Sequence, residues 1–337
     1  METKDFSRFP WAEFMSPEDF VSEDHSYDSA SQLGKFTAHI AASTSVRAGG
    51  IRYYFYDPTE HGFPADKKYP LMMALHGMNG GFQGPRAVDW AGAAMYASEK
   101  YQEAVGGMYI FCPLANEKNG RCGRTEDSWT TTKTESDTSL YSEEQLLHIW
   151  NSPLEWKRNA MRFLGADSIY SGSLHRLLHR ILDENEGIDR EHVFLFGTSA
   201  GGFMAWRMLI NHPEDFKLGV VMSAAYIPGE KELQGIVDAG TKVFVCHGHH
   251  DEVLPFDLII GANYRYYETL PGFTTYYPEL VRCGNHGVTS VPGDNGFEMG
   301  QHCINNAIQQ NLIFDDGTPY DERFPEGVTG IMKELLG

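Results

Sequence analysis

A chain of 337 residues, 42% hydrophobic and 13% aromatic, is long enough to bury a large core and too apolar to remain disordered. Its 46 acidic against 27 basic side chains, a formal net charge of −19, argue against nucleic acid and anionic membranes as partners, since both would repel it. The first residues lack a basic segment followed by an apolar one, and no stretch is apolar over a bilayer's width. We therefore expect a cytoplasmic protein without a membrane span, with secretion open only where a leader has been removed. Five cysteines (Cys112, Cys122, Cys246, Cys283 and Cys303) are scattered without paired-ligand spacing, and reduced core thiols are expected for most of them; a clip between Cys112 and Cys122 across one loop is the alternative.

Residues 1–33 are rich in Ser, Asp and Glu with isolated aromatics and read as an arm packed across the surface. β-Branched and aromatic residues recur over 35–43 and 50–56, predicting an antiparallel hairpin turned at 44–49. Residues 69–75 are a continuous apolar run, as a strand buried on both faces requires, and end in His76-Gly77-Met78-Asn79-Gly80-Gly81. A helix is predicted over 87–101 and a buried strand over 108–113. From 114 to 166 the chain turns polar and aromatic without strand periodicity, as a functional cap or a peripheral insertion would. Ile169, Leu174, Leu177, Leu178 and Leu182 are spaced as the apolar face of a helix over 167–185.

Further strands are predicted at 193–198, 218–224, 242–248 and 274–283, helices at 264–270 and 299–314, and a short helix at the end. The alternation calls for one mostly parallel sheet of about eight strands flanked by helices. No linker divides it, so 1–337 is taken as a single α/β domain with an inserted cap.

The pivotal stretch is Val193 to Gly202. A short aromatic strand stops at Gly197-Thr198-Ser199-Ala200-Gly201, after which no breaker appears until His212-Pro213. Gly-x-Ser-x-Gly in this setting is a tight strand-to-helix turn. It demands glycine beside the serine, lifts the hydroxyl clear of the sheet edge and leaves the Ala200 N–H at a helix N-terminus.

In this the stretch resembles the nucleophile elbow of the α/β-hydrolase superfamily. Gly-Thr-Ser-Ala-Gly-Gly-Phe-Met-Ala is most similar to its polyhydroxybutyrate depolymerase-like and feruloyl esterase-like branch. The resemblance spans roughly residues 69–306. It departs in the long insertion and in Gly284-Asn285-His286-Gly287, which differs from the depolymerases' histidine motif. The resemblance implies that the N–H groups of Met78 and Ala200 form the oxyanion hole and that the insertion roofs the site.

A serine needs a base and a group that orients the base. Asp251, in His247-Gly248-His249-His250-Asp251, resembles the acid-bearing turn of such esterases, with Glu252 and Asp257 as neighbouring alternatives. His286, just past the last predicted strand, completes the order Ser199, Asp251, His286 that the superfamily follows. His302 is the rival histidine, set aside because it falls inside the predicted helix 299–314. His76 and Trp129 are candidate substrate contacts.

The histidines around Asp251 lack a metal-binding helix signature, and the glycines after His76 lack a phosphate-binding lysine, so neither a metal nor a cofactor is expected. The expected partner is a small-molecule ester, soluble and aryl or sugar in type. The oligomeric state is left open. A prolyl oligopeptidase-type peptidase is disfavoured by the lack of blade repeats. A catalytically silent binding protein on the same scaffold is the remaining alternative.

Overall fold

Side chains along the central strands alternate between two separate apolar layers, and this places the sheet in the middle of the molecule. Leu71, Met73 and Leu75 face one layer while Met72 and Ala74 face the other; Val193 and Leu195 oppose Phe194 and Phe196 in the same way. The computed structural model describes residues 29–41, 50–117, 127–282, 284–289 and 300–337.

A short helix α1 (Ala30–Leu33) leads into β1 (Thr37–Ala41) and β2 (Ile51–Tyr56), followed by β3 (Tyr69–Leu75), α2 (Arg86–Trp90), α3 (Glu99–Val105) and β4 (Tyr109–Pro113). Next come α4 (Glu143–Asn151), α5 (Lys157–Phe163), α6 (Ser171–Glu184), β5 (Ile188–Thr198), α7 (Ala200–Asn211), β6 (Leu218–Met222), α8 (Glu230–Ala239) and β7 (Lys242–Cys246). The last elements are α9 (Phe256–Ile259), α10 (Tyr264–Thr269), β8 (Phe273–Tyr276), α11 (Ile304–Gln309) and α12 (Gly327–Leu336).

The eight strands form one sheet in the order β1-β2-β4-β3-β5-β6-β7-β8, antiparallel at β1–β2 and β2–β4 and parallel from β4 onward. Helices α2, α3, α11 and α12 cover one face; α6, α7, α8 and α10 cover the other. No helix among the described residues is long and apolar enough to cross a membrane.

Three expectations need correcting. The helix predicted over 87–101 is split into α2 and α3, because Gly92 takes φ 73° and ends the first piece. The last strand stops at Tyr276 instead of Cys283, and Pro278, which has no amide to donate, follows two residues later. The closing helix runs only over Ile304–Gln309, not 299–314, and this bears directly on the site.

The first 28 residues of the expected arm, the 44–49 turn and the Cys122 half of the possible clip lie outside the described residues. Cys112 is a buried free thiol in β4. Within the insertion, residues 127–166 carry a 3-10 turn, α4 and α5, tied to the segments that follow β6 and β7. Tyr141 Oη donates to the Ile227 carbonyl at 2.7 Å, and the Gln145 amide donates to Asn263 Oδ1 at 2.6 Å and to the Pro228 carbonyl at 3.1 Å. These segments leave the C-terminal ends of their strands, the same edge at which β5 delivers Ser199.

Candidate active site

β5 ends at Thr198, and Ser199 turns the chain into α7 with φ 54° and ψ −116°. A non-glycine residue held there stores about 1–3 kcal/mol of strain and persists only where its surroundings fix it. They do. The Ser199 amide donates to the Met222 carbonyl at 2.9 Å, and the Ser199 carbonyl accepts from Phe203 at 3.1 Å and Ala225 at 3.0 Å.

The flanking glycines are required by contact. A Cβ on Gly197 would stand 2.4 Å from the Gly201 carbonyl oxygen, and one on Gly201 would stand 2.2 Å from that of Leu75. Both obstacles are backbone atoms, which have no rotamer through which to yield. Ser199 itself is left partly exposed.

Beside it lies the loop that ends β3. A Cβ on Gly77 would come within 3.5 Å of the Ser199 Cβ. The Met78 and Ala200 N–H groups find no acceptor among the described residues. Ala200 opens α7, where first-turn amides are orphaned and carry the positive end of the helix dipole.

His76 is not available to a substrate, contrary to the expectation above. It is fully buried, its Nε2 accepts from the Ala115 amide at 3.1 Å and its Nδ1 donates to the Gly77 carbonyl at 2.7 Å. Because a backbone amide can only donate, Nε2 is the bare nitrogen and Nδ1 carries the proton. Burial pushes the pKa of this imidazole down to about 4, and nearby Arg52 adds to the shift while the Gly77 bond opposes it.

Trp129 is likewise buried. It packs on the rings of His76 at 5.2 Å and Tyr170 at 4.8 Å, so it backs the loop instead of lining a binding surface.

Glu117, from the segment after β4, reaches the same loop. Its Oε1 accepts from the Asn79 amide at 3.2 Å and its Oε2 from Gly81 at 2.8 Å. Burial pushes its pKa up to about 7 despite those two bonds.

Past β7, Asp251 is buried with both oxygens engaged. Oδ1 accepts from the Val253 and Leu254 amides at 2.8 and 2.7 Å; Oδ2 meets His302 Nδ1 at 2.8 Å and His247 Nε2 at 3.3 Å. Burial alone would raise its pKa, but the charge and hydrogen bond of His302, then His247, hold it below the ordinary carboxylate range. Asp251 in turn holds the His302 imidazole above its usual pKa, against the burial that opposes its charge.

His286, by contrast, is not brought to Asp251. Its Nε2 lies 2.9 Å from Asp316 and its ring stacks on Phe314 at 3.7 Å, beside a cleft of about 370 Å³ lined in part by Tyr277, Glu279, Arg282 and Phe314. No residue of the serine site lines that cleft.

The histidine that pairs with Asp251 is therefore His302, on a turn just before α11. The apolar spacing that extended a helix back to 299 could not register that Glu252 claims this backbone: Oε1 accepts from Gln301 at 3.2 Å and Oε2 from His302 at 2.9 Å. The chain turns helical only after Cys303, whose ψ of 46° lies outside the helical range, so His302 sits on a turn and not in the helix. Glu252, an alternative acid in sequence, holds the histidine's backbone instead of its ring.

His249 stacks on Phe256 and His250 meets Glu279, so the histidines around Asp251 point to separate partners. Among the described residues, the ligand atoms that lie close enough to hold an ion belong to His175, His212 and Asp215. The two rings there stack face to face 3.6 Å apart, so their lone pairs do not converge.

A strained serine elbow at the end of a central strand of a mostly parallel sheet, followed by its helix, is the arrangement of the α/β-hydrolase fold, and this chain has that fold. Residues 160–277, which include the elbow, match the family model of phospholipases and carboxylesterases. A thermostable esterase of known structure shares the fold at a TM-score of 0.55 and 16% identity, over 83% of this chain and 61% of its own, so the chain spans less than two thirds of that protein's length. A ferulic acid esterase (TM-score 0.48, 16% identity, 72% of this chain and 89% of its own) and the BES protein from Bacillus cereus (0.46, 16%, 73% and 88%) are also similar. No curated protein matches the chain in sequence.

Proposed function

We propose that the protein is a serine esterase acting on small soluble carboxylic esters, with Ser199 as nucleophile, His302 as general base and Asp251 as the group that orients the base. The observation that carries this reading is the buried pairing of His302 Nδ1 with Asp251 at 2.8 Å, in a protein that also holds Ser199 in a strained elbow. With Nδ1 committed to Asp251, Nε2 is the nitrogen left to take the serine proton.

As the serine oxygen attacks the ester carbonyl, His302 takes its proton and passes it to the leaving alcohol. The N–H groups of Met78 and Ala200 stabilise the oxyanion. Water then releases the acyl group by the same route, with His302 again as base. No step calls for a cofactor.

The insertion, anchored above the C-terminal strand ends, serves as roof and specificity element. Its aromatic content favours aryl or sugar esters, in keeping with the feruloyl esterase-like elbow sequence. Turnover of short-chain p-nitrophenyl esters and labelling of Ser199 by a fluorophosphonate test the assignment. Ser199→Ala is expected to abolish both while remaining folded, and retained turnover in that variant would overturn it.

A further inference from the structure

The loop carrying the Met78 amide is held from three directions. His76 fastens the Gly77 carbonyl from below at 2.7 Å, Arg52 Nη2 donates to the Gly81 carbonyl at 2.7 Å, and the two oxygens of Glu117 take the amides of Asn79 and Gly81. Met78, one residue before the first Glu117 contact, has an amide without a partner among the described residues. We propose that Glu117 is a positioning residue: by holding residues 79 and 81 it aims the Met78 N–H at the developing oxyanion. This rests on the esterase reading above.

The choice of side chain supports the role. Glu117 is only 5% exposed, and none of the ion pairs among the described residues includes it. Burying a carboxylate in that way is costly unless each oxygen is satisfied. A carboxylate presents acceptors on both oxygens, so one side chain takes two amides two residues apart. An amide side chain accepts at one atom only and would set its NH2 group against the second N–H. The glycines complete the fit: a Cβ on Gly81 would stand 2.2 Å from the Ala115 carbonyl oxygen, and one on Gly80 would stand 2.4 Å from His76 Nδ1. The loop is thus pressed against the groups that hold it.

Glu117→Gln tests the proposal in the full chain. Oxyanion donors act on the transition state, and losing one outright costs about 10²- to 10³-fold in kcat. A donor misdirected but still present should cost about 10- to 100-fold in kcat with KM within about twofold, and a similar fraction of the affinity for a trifluoromethyl ketone, which forms an oxyanion on the serine. Affinity for the matching non-covalent amide analogue should stay unchanged.

Unaltered kcat and ketone affinity in a folded variant would overturn the proposal. So would equal weakening of both inhibitors, which marks a generally collapsed site. Should Glu117→Gln fail to fold, Glu117→Asp, which keeps the carboxyl group but withdraws it by one methylene, should show the same split, and full activity there would overturn the proposal equally. Failure of the esterase reading is separately visible, because the wild-type protein would then neither hydrolyse esters nor react with the fluorophosphonate.

Discussion

His302 and Asp251, 51 residues apart in sequence, meet at 2.8 Å in the buried interior, whereas His286 and Asp316 meet at 2.9 Å on the open surface. The two distances are nearly equal and the environments are opposite. An exposed pair is screened by solvent and contributes little. A buried imidazole–carboxylate pair fixes the ring's orientation and the proton's position, which is what a general base needs.

The two histidines should therefore separate cleanly on substitution. His302→Ala is expected to lower kcat for p-nitrophenyl acetate by at least about 10³-fold, as loss of a base paired with a serine nucleophile does. His286→Ala is expected to stay within about twofold of wild type, since only a surface contact is lost. Steady-state kinetics on the two variants, with circular dichroism to verify folding, decides the matter; a dead His286→Ala beside an active His302→Ala would reverse the assignment.

The elbow and the parallel sheet were legible in sequence because each depends on neighbours in the chain. Gly197, Ser199 and Gly201 are adjacent, and the apolar runs of β3, β5, β6 and β7 declare strands buried on both faces. The histidine that pairs with Asp251 was not legible in that way. Choosing between His286 and His302 depended on where a helix began, and Glu252, which captures the amides of Gln301 and His302, lies some fifty residues upstream. Glu117 gave no local signal for the same reason. Its partners are the amides of Asn79 and Gly81, and nothing in residue spacing reveals which backbone a glutamate will find. His76 misled in the opposite sense: a histidine at a strand end reads as a site residue until its two nitrogens are seen to be spent on Ala115 and Gly77.

The Asp251 charge also predicts how activity follows pH. His302 must be neutral to accept the serine proton, so turnover should rise as pH passes its pKa, which Asp251 holds above the ordinary 6.5. Asp251→Asn removes that carboxylate, so the acid limb of kcat/KM should move to lower pH while the plateau falls by about 10⁴-fold, the loss seen when an imidazole loses its orienting carboxylate. A pH profile of the residual activity on an activated ester measures both effects. An acid limb left where it stands in wild type would show that Asp251 does not set the base.

His76 makes a prediction about stability instead of rate. Its folded pKa of about 4 lies below the unfolded value near 6.5, so the folded protein favours the neutral ring. Its contribution is fully present above pH 6.5 and is lost as pH falls through 4, amounting to about 3 kcal/mol over that window. The physical cause is specific: a proton added to Nε2 would face the Ala115 N–H, donor against donor, inside a site closed to water. His76→Asn keeps a donor for the Gly77 carbonyl but cannot titrate. The variant should be less stable than wild type at pH 7.5, through the smaller side chain and the amide left without its acceptor. The deficit should shrink as the pH is lowered toward 4, because only wild type must then protonate a buried ring. Urea unfolding of both proteins at several pH values measures this, and taking the difference removes the carboxylates they share, including Glu117 and Glu252, which titrate near 7. A deficit that stays constant across the window would mean that His76 does not resist protonation.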